Sequence, residues 1–363
     1  MHFLILLIRT CLSSESAEMP RLNRSQVKKR IIALLTLFPC LFPSTSNAFP
    51  WCGKKILNKA FSPTFGRGYG APGHKRSSFK RQEAKPVWES FVESGNDRLF
   101  QSHTRMYIDE FDALLVDLDD LKLLLSKVAT KLTFSNKILL LFFWIVKYHD
   151  YATLAWIFGS SPPVIVQLID LALPLLVGHF VKFIPNRIES DKTSSLSTNI
   201  VAIIDSTIHA RRKNAKDQHI HWNEHYHCHG MLTHLLVDFD GYIASFVTSV
   251  AAKMHDSNAS RYFKPFVRLL EGRYVIGDPG YNGVPYVVSG LKFNQLNSDE
   301  RREFDLISRS EQVIIEHVNS FIKSCKVLSK KNQFIHGRDK HISCVFIVCG
   351  WYNWIKRTFQ KFG

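Results

Sequence analysis

The stretch Ile200-Val201-Ala202-Ile203-Ile204-Asp205-Ser206-Thr207-Ile208-His209 decides the fold. Five apolar residues in a row describe a strand covered on both faces, and the run stops at an aspartate. Upstream, residues 185–199 are polar and contain Pro185, Ser190, Thr193, Ser194 and Ser195, which is linker composition. Downstream, residues 231–237 form a second apolar run that meets the turn signal Asp238-Phe239-Asp240-Gly241. Residues 242–250 return from it as the other arm of a hairpin. Residues 273–276 are a fourth run, ending in Gly277-Asp278, and residues 312–322 then carry Val313, Ile315, Val318 and Ile322 at helical spacing. Strands followed by a helix predict an α/β fold, a mixed sheet with flanking helices. No internal repeat is present.

Ahead of the linker, residues 107–184 read as helical. Phe111, Leu114, Leu115, Leu118 and Leu121 recur at helical spacing, Ser135 is a candidate cap for a helix over 138–146, and 152–158 is followed by Gly159-Ser160-Ser161-Pro162. Ser161 as N-cap with Pro162 at the first helical position starts a helix over 164–180. Helix, short turn and helix give a helix-turn-helix outline. Read that way, 164–173 enters a DNA major groove. Residues 161–181 hold no Lys or Arg, which favours a plain helical bundle instead. The apolar stretch 138–146 is too short to span a membrane, and Asp170 and Pro174 interrupt 164–183.

The 363 residues carry a formal net charge of +16, which favours a polyanionic partner. Residues 1–104 hold sixteen Lys and Arg against six Asp and Glu, and residues 321–363 hold nine against one. The middle is therefore close to neutral, an acidic site between phosphate-binding ends. Low periodicity in 1–104 predicts a basic, largely disordered tail, with His74-Lys75-Arg76 and Lys80-Arg81 as a nuclear-import or nucleic-acid patch. Within it Lys28-Lys29-Arg30, an apolar run and Ser46-Asn47-Ala48 follow the order of a secretory signal beginning at Met19, although nothing downstream looks extracellular. Seven cysteines with no CxxC spacing argue against a disulfide framework or a structural zinc site.

The chemistry lies in the acids. Asp205 and Asp278 end strands, and Glu316 lies on the later helix. Several carboxylates from separate elements are what two-metal phosphodiester cleavage requires, with Mg²⁺ or Mn²⁺ as the hard cations that oxygen ligands suit. A second cluster, His219, His221, His225, His227, Cys228 and His229, invites a zinc reading and a zinc-dependent hydrolase, or else is a DNA-facing loop.

Four blocks occur in order: Ile203-Ile204-Asp205-Ser206-Thr207-Ile208-His209, Met254-His255-Asp256-Ser257, Gly277-Asp278-Pro279-Gly280-Tyr281 and Ile314-Ile315-Glu316-His317. They resemble the signature blocks of PIF/Harbinger transposases and the nucleases derived from them. Ile322-Lys323 takes the place of that family's Leu-Lys, and Trp351-Tyr352-Asn353 its closing Leu-His-Asn helix. The resemblance covers about 107–356. It implies an RNase H-like domain over 200–356 and metal ligation by Asp205, Asp256, Asp278 and Glu316. It also implies DNA endonuclease and strand-transfer activity in the nucleus and a Myb-like partner protein; association with a second copy is a further expectation, and the short or interrupted apolar stretches predict no membrane span. The sequence departs from the pattern at Gln312, where Arg is usual, and at Ser206, where Gly is usual. It has His and Tyr around 223–229 where an Arg-Lys pair is usual. These changes leave open a domesticated DNA-binding or scaffold protein without catalysis.

Overall fold

The computed structural model describes residues 85–212, 218–289, 298–329 and 337–359. Every described residue lies within the compact unit Gly70–Gly363. The basic patches and the signal-like stretch of the N-terminus fall outside the described residues.

The first layer is helical: α1 (Val87–Ser94), α2 (Asp97–Thr104), α3 (Ile108–Asp117), α4 (Lys122–Leu125), α5 (Phe134–Lys147), α6 (Tyr151–Phe158) and α7 (Pro162–Phe180). It begins at Val87, inside the segment that composition assigns to the tail. The reason is a set of large side chains too sparse to show a period: Trp88 and Phe100 are buried and pack on Phe111 at 4.8 and 5.5 Å between ring centroids. Thr133, rather than Ser135, caps α5 by accepting from Asn136 N at 3.2 Å. Asn136 in turn accepts from Trp88 N at 2.9 Å and donates to Glu89 at 2.8 Å, tying α1 to α5.

The sheet follows. Its strands are β1 (Ile200–Ala210), β2 (Trp222–Asn223), β3 (Cys228–Asp238), β4 (Ile243–Ala251), β5 (Tyr274–Gly277) and β6 (Val287–Val288). They run in the order β2-β3-β1-β5-β6, with β4 also paired to β3. β1 is central, antiparallel to β3 and parallel to β5. The hairpin turn forms at Gly241, whose φ of +79° suits glycine. There Asp238 Oδ1 accepts from Tyr242 N at 2.8 Å. Short helices α8 (Gln218–His221), α9 (Asp256–Ala259) and α10 (Lys264–Leu270) connect strands, and α11 (Ser298–Ser324) and α12 (Arg338–Phe359) complete the fold. This is a mixed α/β architecture, a mixed sheet flanked by helices as expected of an RNase H-like domain.

Each sheet face has its own core. Ile203, Leu235 and Ile276 belong to the larger, shared with the helical layer, α11 and α12. Ile204, Leu236 and Val275 belong to the smaller, with Phe263 and Phe266 from around α10. α12 fastens the helical layer to the sheet. Its Asn353 donates to Phe183 O at 2.8 Å and Ile243 O at 2.9 Å, and accepts from Ile243 N at 3.0 Å. Where α12 crosses the end of α7, a Cβ at Gly350 would lie 2.3 Å from Phe180 O. Among the described residues one stretch, Pro162–Phe183, is long and apolar enough to cross a membrane, and 44 % of an 18-residue window within it is buried in the protein. Its Asp170 pairs with Lys340 of α12 at 2.6 Å.

Candidate active site

Register sets the site. Asp205 lies opposite Leu235, so its side chain shares the face that packs against α11. Ser206 lies opposite His234 and shares the other face. β1 pairs with β5 through Ile204 and Gly277, so Asp278 leaves the end of β5 beside Asp205. Asp205 does not end its strand, as the apolar run suggests it should, because β1 continues to Ala210 through its pairing with β3; the parallel pairing brings this mid-strand aspartate beside Asp278 at the end of β5, although seventy-two residues separate them in the chain.

Asp205 accepts from Ser206 N at 2.7 Å through one oxygen and from Asn319 Nδ2 at 2.6 Å through the other. Burial, with the charges of Asp278 and Asp256, raises its carboxyl to about 7, against the Ser206 amide and the Lys323 charge. Asp278 caps the turn Pro279–Tyr281, accepting from Gly280 N at 3.0 Å, and burial raises its carboxyl too. Asp256 opens α9. Its carboxyl approaches His234 Nδ1 at 3.8 Å and hydrogen-bonds the Ser206 hydroxyl, and burial and Asp278 raise it. Gly280 sits between the last two: a Cβ there would lie 2.9 Å from Asp256 Oδ2 and 3.1 Å from Asp278 Oδ1. Three carboxylates from β1, α9 and the end of β5 thus press on one another.

A buried polar chain backs Asp256. His234 Nδ1 and the Tyr281 hydroxyl are 2.9 Å apart, and burial drives the imidazole down to about 3, so it is neutral. Tyr281 also hydrogen-bonds Ser206, and it holds its proton because burial and the three aspartates oppose ionisation. The same three charges reach Tyr226, half-buried in the turn before β3.

Glu316 is exposed on α11. Asn319, nearly one turn further along and 4 % exposed, makes the contact to Asp205 from that helix. Asn319, the Ser206 hydroxyl and the His234–Tyr281 pair are functional candidates that sequence reasoning missed. An asparagine within the apolar stripe of Ile315, Val318 and Ile322 was the available signal for Asn319. His209, in the first block, is fully buried, with Nδ1 2.8 Å from His341 Nε2. Among the described residues no group of three or more His, Cys, Asp or Glu gathers to hold one metal ion, in the histidine-rich stretch or at the aspartates. The donor chemistry of the aspartates nevertheless fits a hard cation. It is all oxygen, and it is desolvated and mutually repelling, so added positive charge would relieve it.

Residues 197–291 match the family described as the transposase DDE domain. The matched stretch runs from just before β1 to just past β6, and includes Asp205, Asp256 and Asp278 but not Glu316. No curated protein and no solved structure matches the chain. One segment, well under half of the chain, is therefore similar to the transposase DDE domain.

Proposed function

We propose that this protein is a metal-dependent DNA endonuclease derived from a transposase, with Asp205, Asp278 and Glu316 as the catalytic set and Asp256 as a further ligand. The observation that carries the reading is that the charges of Asp256 and Asp278, from separate elements, act on buried Asp205 inside the segment similar to a transposase DDE domain. When bound, Mg²⁺ or Mn²⁺ would supply Lewis-acid stabilisation and an activated water at the scissile phosphate. The chain's own residues do the positioning. Ser206 N and Asn319 fix the two oxygens of Asp205. The turn after β5 fixes Asp278 through Gly280 N, and Ser206, His234 and Tyr281 back Asp256. Glu316 lies on the same helix as Asn319, three residues before it, and is exposed. DNA as partner, a nuclear location, a Myb-like partner and association with a second copy belong to the same proposal.

A second reading, a DNA-binding protein without catalysis, draws on the exposed Glu316 and on the absence, among the described residues, of any three ligands gathered at one point. Incubating the full chain with supercoiled plasmid in Mg²⁺, Mn²⁺ or EDTA separates the two. The nuclease reading expects nicked or linear product with either cation and none in EDTA. A protein that retards the plasmid but leaves it intact in both cations supports the second.

A further inference from the structure

The chain between Asp256 and Asp278 forms α9, the turn Ser260–Tyr262, α10 and β5, so α10 is strung between two of the three aspartates. Phe263, Phe266 and Leu270 bury one side of this segment in the smaller core. The other side carries Arg261, Tyr262, Lys264, Val267 and Arg268, all exposed. Lys264 lies eight residues beyond Asp256, at most about 16 Å away at a rise of about 1.5–2 Å per residue. Tyr274 lies four residues before Asp278, about 13 Å along an extended chain. At about 3.4 Å per nucleotide, a DNA strand held at the aspartates reaches this face within about five nucleotides.

Residues 257–277 hold Arg261, Lys264, Arg268 and Arg273 against a single acid, Glu271. Among the described residues none of these four cations pairs with a carboxylate. Arg261 lies over the Tyr262 ring at 5.2 Å, and Arg273 Nε donates to Leu270 O at 3.2 Å. The elements around α10 do not cancel the excess. β4, β5 and residues 279–289 carry no charged side chain. The linker, whose Ile188 joins the same core, brings Arg187 and Lys192 against Glu189 and Asp191 and so balances itself. Lys253 and His255, before α9, bring no negative charge. The charges that act on Asp205 and Asp256 come from the other aspartates, Lys323 and His255, and belong to the aspartate site. Four cations against one acid leave an excess of three positive charges on this face.

Beside it a cleft of about 150 Å³ is lined by Val267, Leu270, Arg273, Tyr274, Pro285 and Tyr286. The Tyr286 hydroxyl is buried without a partner. Tyr262 and Tyr274 are 48 and 42 % exposed, so two phenol rings stand open among the cations. Cations alone suit any polyanion. Open aromatic rings between them suit a nucleic acid strand, which offers phosphates and base faces together.

We propose that this face holds the DNA strand flanking the bond that is cut, with phosphates on Arg261, Lys264 and Arg268 and a base against Tyr274 at the cleft. The proposal rests on the reading of the aspartate site as DNA-cleaving, and it adds where the flanking strand runs. From Arg261 to Arg268 the chain advances about 10 Å, some three nucleotide steps. The planar forks of Arg261 and Arg268 suit phosphate oxygens. A base in the cleft would stack on Tyr274 and give the Tyr286 hydroxyl the partner it lacks.

The test measures affinity of the full chain for a fluorescently labelled duplex with a single-stranded tail, across a KCl series in EDTA. With Lys264→Glu and Arg268→Glu together, the slope of log affinity on log salt should shrink by about two, one per lost phosphate contact. Affinity at moderate salt should fall about tenfold or more. Lys264→Gln with Arg268→Gln, which removes the charges without reversing them, should change the slope equally and leave the unfolding temperature unaltered. Lys127→Glu with Lys131→Glu, two exposed lysines elsewhere, makes the same change of net charge and should alter the slope less. Tyr274→Ala should lower affinity about fivefold or more at an unchanged slope, the mark of a lost stacking contact. An unchanged slope in the glutamine pair, an equal loss in the control pair or wild-type affinity in Tyr274→Ala overturns the proposal. So does a reversed pair that keeps its DNA affinity but no longer binds phosphatidylserine vesicles, which would give the face to a membrane. Because binding is read without divalent cations, its outcome is independent of cutting. An effect on binding in a protein that never cuts sinks the nuclease reading alone, and cutting with no effect on binding sinks this proposal alone.

Discussion

Replacing Asp205 by asparagine should make the protein more stable at neutral pH while removing its chemistry. In the folded chain burial and two neighbouring carboxylates raise Asp205 from 3.8 to about 7. Some three pH units at about 1.4 kcal/mol each set a ceiling of roughly 4 kcal/mol for the cost of ionising it. Asp205 keeps a partly exposed edge, and water there takes up part of the cost, so about 2 kcal/mol is expected. At about 2–4 °C per kcal/mol, unfolding should shift up by roughly 4–8 °C. The amide fits the site: its carbonyl still accepts from Ser206 N, and its NH₂ meets Asn319, whose Oδ1 is buried without a partner and becomes the acceptor if that amide flips. The sign of the pH dependence follows. A carboxyl raised in the folded state favours folding most below pH 3.8 and loses that contribution as pH rises through about 7. The gap between variant and wild type should be full above pH 7 and close towards pH 4. Thermal unfolding in EDTA buffers across that range measures it, and added Mn²⁺ should raise the wild type more than the variant. A variant less stable than wild type at pH 8, or a gap independent of pH, would refute the reasoning.

Other outcomes follow from the same geometry. Asp256→Asn should fold normally, because the carboxyl is turned to Ser206 and His234, yet cut DNA far more slowly and bind Mn²⁺ more weakly; near-normal nicking would assign Asp256 to structure. Gly350→Ala forces a methyl into the Phe180 carbonyl between α7 and α12 and should cost about 1–3 kcal/mol, read as a lowered unfolding temperature; wild-type stability would contradict the crossing. Removing residues 1–84, which leaves α1 and α2 intact, should weaken DNA binding and flatten its salt dependence, and an unchanged slope would show that the basic N-terminal segment makes no phosphate contacts.

The sheet and the position of Asp278 at a strand end were readable because both signals are local, whereas Asp205, where the apolar run stops, lies mid-strand because β1 goes on to Ala210 against β3. An apolar run that stops at Asp205, and another that stops at Gly277-Asp278, need only the period of a strand. The long apolar helix after Pro162 announced itself in the same way. Other features depend on partners far away in the chain. α1 and α2 carry one or two large apolar side chains each, and only the contact of Trp88 and Phe100 with Phe111 makes them part of the core. Ser135 and Thr133 are equally good caps by type, and the choice falls on the residue whose oxygen meets Asn136 N. Asn319 shares the stripe of Ile315 and Ile322, and its role exists only because β1 lies beneath it. The faces from which Asp205 and Asp256 approach are set by pairing register, which no single stretch of sequence states.

The most direct test of the central claim compares wild type with Asp278→Asn on supercoiled plasmid, in Mg²⁺ and in Mn²⁺, after both proteins are shown to bind the plasmid equally in EDTA. The charge of Asp278 acts on both other aspartates, and the change removes that charge while keeping an oxygen that can accept from Gly280 N. The account predicts cation-dependent nicking by the wild type and a loss of about a hundredfold or more in the variant, the scale on which a transition-state charge partner is felt. Equal cutting by the two proteins would contradict it.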